Sequence, residues 1–396
     1  MNSILMQTVT SLNGAAWDWI FCGAFLLLLI FIGLYARAIP QGKGLWWGLS
    51  ALLGVLVIAG MAVGEGILRI VLLDTAAFVA VALVWNGNSA KAKAAAKTYL
   101  ILMIVAIGFL AAGQYLAGEN GTAPAFPLDK IAAGLLIIGF SLKLALIPFY
   151  FWLPNLAEHS KPMTTVLVVS VVDIAAFSEL AFMRSSAPWL FTDYAVLWLI
   201  VALLSMFGGA LGALAQKNIK RMLAFSTIDD MGYLVLGTLA GSVYGLNGAM
   251  LAALSHAFCK FLLFGAVGVV ENKLGHDLTL DDHGIAAQFH VSAVVFIAGA
   301  LGMIGVPPLF GFIGRWRLYL SGLEYGGVAL VLTMAAATAL ALLYYVRVIH
   351  RVWLGKPSQE VAKVNEPALA SFVLIALTVI LLVVGLFPGW LTSLIG

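Results

Sequence analysis

From residue 17 to residue 391 the chain runs through one apolar stretch after another, each about 20 residues long and set off by a short polar loop or a proline. That is the length an α-helix needs to cross the hydrocarbon core of a bilayer. Twelve such stretches are readable, near 17–36, 45–63, 67–86, 97–117, 131–153, 163–183, 189–213, 223–241, 245–270, 288–320, 327–354 and 368–391. They lack the two-residue alternation of a membrane barrel, and backbone polar groups cannot stay unpaired in lipid, so helices are the form left. Composition agrees. Of 396 residues, 63% are hydrophobic and 10% charged, against about 45–50% apolar and 25% charged in soluble domains. So little polar surface could not coat a globule in water. The expected fold class is an all-α integral membrane protein, a single polytopic domain over residues 1–396.

Lys and Arg collect on the cytoplasmic side of a membrane protein. With twelve spans, one side gathers Arg37, Lys43, Lys91, Lys93, Lys97, Lys161, Lys217, Lys220, Arg221, Lys273, Arg347, Arg351, Lys356 and Lys363. The other side holds Arg69, Lys130 and Arg184. The populated side is therefore read as cytoplasmic, with both termini outside. The stretch Met1 to Gly14 has no basic start or small-residue cleavage site, so the N-terminus is expected to be retained. No lipidation signal is expected at either end.

Several function classes fall away. The net charge is +3 and its basic residues are spread over many loops, which argues against nucleic-acid binding. Cys22 and Cys259 are the only cysteines and both lie in apolar stretches. They make no disulfide framework or metal-ligand spacing, and no iron–sulfur cluster that needs four thiolates. No glycine motif cradles a phosphate, so no cofactor and no metal is expected in this chain.

What remains are charges where lipid should exclude them. Lys143, Lys260, Arg315 and Arg317 fall within spans or at a break in one. Asp74, Asp173 and Glu179 lie at membrane depth, and Asp229 and Asp230 near the start of a span. Each such charge costs about 2.5–3.5 kcal/mol at the bilayer centre on insertion scales. A set of them reads as an ion path; salt bridges between helices or snorkelling side chains are the plainer reading.

Two spans carry proline inside. Ser141 to Trp152 reads SLKLALIPFYFW, with Pro148, and Ile304 to Leu318 reads IGVPPLFGFIGRWRL, with Pro307 and Pro308. Proline removes a backbone donor and clashes with the preceding turn, so both helices should break there. Paired interrupted helices in two halves of a chain suit an inverted-repeat transporter with its site at the midplane, although kinks used only for packing are common. A third constellation is SHAFCKFLLF at 255–264, where His256 and Lys260 stand four apart on one helix face and could pass a proton.

Taken together, four segments resemble the antiporter-like membrane subunits of respiratory complex I, Mrp-type cation/proton antiporters and energy-converting hydrogenases. They are SLKLALIPFYFWLPNLAEHSKP at 141–162, GALGALAQKNIKRMLAFSTIDDMGYLVLG at 209–237, SHAFCKFLLFGAVG at 255–268 and GVPPLFGFIGRW at 305–316. The resemblance implies two inverted repeats, each with a proline-broken helix, and protons moving along a midplane row of charges. By position, Lys143 matches the family's central lysine, Asp74 its glutamate in an earlier helix, and His256 and Lys260 the linking groups of the second half. Arg315 matches the terminal lysine or glutamate, although a guanidinium stays protonated and cannot be a relay. Asp173 falls where a lysine is usual and could pair directly with Lys143. Arg317, Glu158, His159, Asp229 and Asp230 are candidate gating or interface charges.

The half-repeats are expected at 45–186 and 187–356, flanked by 1–44 and 357–396. Family members usually carry about fourteen spans, so two are expected to be lacking at the front, and the long lateral C-terminal helix of the largest members is expected to be lacking too. The expected function is proton translocation within a multi-subunit redox-driven ion pump, beside other membrane subunits and a peripheral redox arm, in a prokaryotic inner membrane. Alternatives are a cation/proton antiporter module without a redox partner, moving protons or sodium, and a membrane anchor that does not pump.

Overall fold

The structure, a computed structural model, describes residues 14–64, 66–87, 89–118, 122–356 and 365–395. Met1 to Asn13 and Lys363 lie outside the described residues, so the expectations placed on them are untouched. Among the described residues the chain is helical throughout, with one isolated β-bridge between Asn218 and Thr279.

In chain order the helices are α1 (Gly14–Ala38), α2 (Gly44–Ala62), α3 (Ile67–Trp85), α4 (Ala90–Ala117), α5 (Leu128–Lys143), α6 (Trp152–His159) and α7 (Pro162–Ser186). There follow α8 (Ala195–Ala215), α9 (Ile219–Ala240), α10 (Val243–Leu274), α11 (His290–Ile304), α12 (Gly311–Trp353) and α13 (Ala368–Leu386). Nine of these are long and apolar enough to cross a bilayer unaided, fewer than the twelve spans read from the sequence. The difference has local causes. Two of the twelve stretches are broken, leaving half-helices of 16 and 15 residues, α5 and α11. A third, α9, holds Lys220, Arg221, Asp229 and Asp230 within its 22 residues. The tenth and eleventh stretches join in α12, which bends at Gly327, a residue at φ 65° that only glycine adopts at little cost, instead of looping out.

α10 is the axis of the bundle. Its membrane-depth window is buried on every side, whereas α4, α12 and α13 turn most of theirs outward. A helix apolar all round is a buried one. Polar side chains pin neighbours to it: Trp17 Nε1 donates to Asn247 Oδ1 at 3.1 Å and Tyr35 Oη to the Gly265 carbonyl at 2.7 Å. Where α8 and α9 cross, a Cβ on Gly209 would stand 2.3 Å from the Asp229 backbone nitrogen. Small residues of this kind let membrane helices approach backbone to backbone.

Two placements differ from the sequence reading. Asp229 and Asp230 sit halfway along α9, both buried, rather than near the start of a span. Arg69, counted with the outer loops, is buried in the first turns of α3, where its guanidinium meets Asp18 of α1 at 2.7 Å. A cation with an internal partner is no evidence for sidedness, so the asymmetry of loop charges rests on the remaining residues.

Candidate functional site

Both proline segments break their helices in the same way. α5 ends at Lys143; the Leu146 amide then reaches back to the Ser141 carbonyl at 2.8 Å and the Phe149 amide to Leu146 at 2.6 Å, before α6 begins at Trp152. α11 ends at Ile304; the Val306 amide reaches back to Leu301 at 2.9 Å and the Leu309 amide to Val306 at 3.1 Å, before α12 begins at Gly311. The chain turns through a left-handed residue in each case, Ala145 at φ 53° and Gly305 at φ 87°. Carbonyls freed by the breaks find side-chain donors: Trp152 Nε1 reaches Leu142 at 3.1 Å, and Arg315 Nη2 reaches Met303 at 2.9 Å.

The first break holds a charge cluster. Lys143 Nζ lies 2.6 Å from Asp74 Oδ1 of α3 and 2.7 Å from Glu179 Oε2 of α7, all of them buried or nearly so. One ammonium thus serves two carboxylates. Asp173 is not its partner, contrary to the expectation of a direct pair: it is buried, and its Oδ2 has no hydrogen-bond partner among the described residues. The reason is geometric. Asp173 precedes Glu179 on the same helix by six residues, about 9 Å along the axis, and Lys143 is already satisfied at the Glu179 level. The turn from Leu167 to Val172, just before Asp173, is π-helical, which rotates everything after it relative to a regular helix. Such bulges are frequent at functional sites.

The second cluster lies across α9, α10 and α12. Asp230 is gripped from two sides, by His256 Nδ1 at 2.7 Å and Arg315 Nη2 at 2.6 Å. The Arg315 guanidinium also lies over the Tyr233 ring, 3.9 Å from its centre, so it is fixed by an anion, a carbonyl and a π face at once. Asp229 accepts from Tyr344 Oη at 3.0 Å, and among the described residues its other oxygen is unpartnered, as is His256 Nε2. Lys260 makes no ion pair among the described residues. Its ammonium donates to the Leu223 carbonyl at 2.7 Å and to Ser226 Oγ at 2.5 Å, and Tyr345 Oη donates to the same hydroxyl at 3.2 Å. An amine held by neutral oxygens alone is suited to exist with or without its extra proton.

The remaining sequence candidates stand apart. Glu158 pairs with Arg221 at 2.8 Å near the surface, and His159 is part-exposed beside it. Arg317, two residues from Arg315, is part-exposed and packs its stem over Gly248. Pro148, Pro307 and Pro308 are at the breaks. Sequence reasoning gave no role to Glu179, Tyr344 or Ser226. Glu179 was legible as an intramembrane acid, whereas Tyr344 and Ser226 carry no signal that sets them apart from other membrane-helix residues. Among the described residues no group of three or more His, Cys, Asp or Glu is disposed to hold a metal.

Broken helices flanking buried, hydrogen-bonded charges define a polytopic membrane protein built around an ion-handling core. Residues 70–341 match the family described as NADH:quinone oxidoreductase/Mrp antiporter, transmembrane, and the chain belongs to that family. It is 30% identical over 370 residues to NADH-quinone oxidoreductase subunit N of Desulforudis audaxviator, which covers 87% of this chain and 74% of the relative. Subunit N of Acidithiobacillus ferrooxidans is 28% identical over 387 residues, 92% of this chain and 80% of the relative. In fold the chain is similar to a chain of the Mrp complex from Dietzia sp. (TM-score 0.85, 20% identity, 96% of this chain and 82% of that one). It is also similar to a chain of respiratory complex I from Thermus thermophilus (TM-score 0.83, 23% identity, 96% and 83%). A third fold match is to a chain of an archaeal membrane-bound sulfane sulfur reductase (TM-score 0.82, 24% identity, 95% and 80%).

Proposed function

We propose that this chain is a proton-translocating subunit of a multi-subunit, redox-driven ion pump. The observation that carries the reading is Lys143, a buried ammonium shared by Asp74 and Glu179 at a helix break. In the first half Asp74 and Glu179 share one lysine, and a third carboxylate, Asp173, is buried six residues ahead of Glu179 on the same helix. In the second, Asp229 and Asp230 face Lys260, Arg315 and His256. Excess carboxylate in a low dielectric is relieved by binding protons, so the first half is suited to take protons up, and the second, richer in cationic groups, to pass them on. Movement of Lys143 from Glu179 toward the unpartnered Asp173 oxygen would free Glu179 to exchange a proton. His256 and Lys260 would pass protons within the second half, where Arg315 is a fixed charge rather than a carrier.

The half-repeats 45–186 and 187–356 follow the two breaks and form the two transfer units. Electron transfer, with its cofactors, belongs to other chains: further membrane subunits and a peripheral redox arm, as the names of the relatives and fold neighbours suggest. The loop lysines and arginines support a cytoplasmic side opposite both termini, in a prokaryotic inner membrane. A second reading, cation/proton antiport without redox partners, draws on the fold likeness to the Mrp complex and on the unpartnered oxygens of Asp173 and Asp229, which suit a cation such as sodium.

Mild-detergent purification of the tagged chain, with mass spectrometry of what accompanies it, separates the two. Partners with iron–sulfur or nickel-site sequences are expected, and Lys143→Ala should then abolish proton uptake by proteoliposomes while the complex still assembles. Co-purification of small membrane subunits only would favour antiport.

A further inference from the structure

One buried ion pair takes no part in the scheme above. Asp18 of α1 and Arg69 of α3 meet at 2.7 Å, and both lie ahead of the residues that match the family, 70–341. Arg69 does more than pair. Its Nη2 donates to Ser178 Oγ at 3.0 Å, its guanidinium lies over the Phe182 ring at 4.6 Å, and its Nε is buried without a partner among the described residues. Ser178 is the residue before Glu179, whose Oε1 is likewise buried and unpartnered. Through Ser178 the guanidinium is tied to the turn of α7 that carries Glu179, and Arg69 stands five residues ahead of Asp74, which shares Lys143 with Glu179.

We propose that Arg69 and Asp18 are positioning residues for proton exchange at Glu179: Arg69 holds a permanent positive charge beside that carboxyl, and Asp18 sets how much of it Glu179 feels. The inference rests on the reading that Glu179 exchanges protons at the Lys143 site. The groups facing Glu179 are Lys143 from α5 and Asp74 and Arg69 from α3, with Asp173 on its own helix and Asp18 behind Arg69. Of the other helices packed on α7, α9 and α10 bring Asp229, Asp230, His256 and Lys260, which belong to the second cluster. α1 is thereby wired to the first site through one guanidinium. When Lys143 moves off Glu179, Arg69 is the cation left to steady the bare carboxylate.

Removing either partner then has opposite effects. Asp18→Asn leaves the Arg69 charge unshared, so Glu179 releases its proton more readily. Arg69→Gln removes the cation, Asp18 takes up a proton beside the neutral amide, and Glu179 keeps its own proton longer. A charge in contact moves a carboxyl titration by about one unit or more; for a guanidinium that touches the preceding residue, Ser178, about half that is expected.

The test follows the protonated-carboxyl infrared band of Glu179, assigned with Glu179→Gln, against pH in the purified complex, together with proton uptake by proteoliposomes. The expected result is a midpoint lowered in Asp18→Asn and raised in Arg69→Gln, each by about half a unit, with Arg69→Lys restoring the wild-type midpoint. Unmoved midpoints, or shifts of one sign in both variants, would overturn the proposal. So would failure of both single variants to assemble while the doubly neutral Asp18→Asn, Arg69→Gln protein assembles, because that marks a pair needed only for folding. Lys143→Ala in the same proteoliposomes keeps the two questions apart: if it pumps like wild type, the Lys143 reading itself fails, whatever the infrared midpoints do.

Discussion

Met303 holds the place in the second helix break that Lys143 holds in the first: each stands five residues ahead of the proline, Pro308 and Pro148, in the last turn of its half-helix. The backbone turn is repeated and the charge is not. The cation of the second half comes instead from Arg315, on the far side of the break, which reaches back to the Met303 carbonyl at 2.9 Å. The first break therefore carries an ammonium on the helix that ends. The second receives a guanidinium from the helix that begins.

Lys143→Arg tests whether the ammonium must give up its proton. Arginine can still bridge Asp74 and Glu179, but it stays protonated. Assembly and electron-transfer activity of the complex should persist, while proteoliposome proton uptake falls by about tenfold or more. Wild-type uptake would show that the position needs only a movable positive charge and that Lys143 never gives up its proton.

Arg315→Met strips Asp230 of one of its two partners and leaves the Met303 carbonyl without its guanidinium donor. Breaking a buried pair by removing one side costs about 3–5 kcal/mol when the partner charge is left behind. A clear drop in the melting temperature of the detergent-solubilised protein is expected. Adding His256→Gln should cost less than its separate effect, since both act through Asp230.

Tyr344→Phe takes away the hydroxyl that donates to Asp229 at 3.0 Å. The other Asp229 oxygen has no partner among the described residues, so the carboxylate would lose its one side-chain donor there. A stability loss of about 1–3 kcal/mol follows, measured by thermal denaturation. Tyr325→Phe, on an exposed ring, should leave stability unchanged.

Gly311→Ala probes the second break directly. A Cβ there would stand 1.8 Å from the Gly302 carbonyl oxygen and 3.0 Å from Ser255 Oγ. Because the obstruction is backbone, it cannot swing aside, and the variant should fail to accumulate as folded protein. Gly134→Ala on α5 meets nothing within 4 Å and should leave the yield unchanged.

What the sequence made legible is what single residues or short runs dictate. Proline cannot continue a helix without a lost bond, so both breaks could be placed from Pro148, Pro307 and Pro308. Burial of Lys143 and Lys260 followed from apolar neighbours on all sides. Partner choice was another matter. Whether Lys143 meets Asp173 or Glu179 depends on the rotation of α7, and the π-helical turn at Leu167–Val172 changes that rotation with no marker in composition. The depth of Asp229 and Asp230 was misjudged because Lys220 and Arg221 made the start of α9 read as loop. Both are satisfied within the fold, Lys220 by Asp277 at 2.8 Å and Arg221 by Glu158 at 2.8 Å. Arg69 was misplaced for the same reason: a positive charge looks external until its anion, 51 residues away in Asp18, is known.

The unequal cations at the two breaks give the molecule an electrical asymmetry in the plane of the membrane. Arg315 contributes the same charge at every pH the protein meets, whereas the charge around Lys143 changes whenever a proton enters or leaves. Each such event alters the in-plane dipole at the first break, while at the second only His256 and Lys260, and never Arg315, can change charge. A neighbour against the first break would meet a field that changes with each proton, and one against Arg315 a field with a constant component that no proton removes.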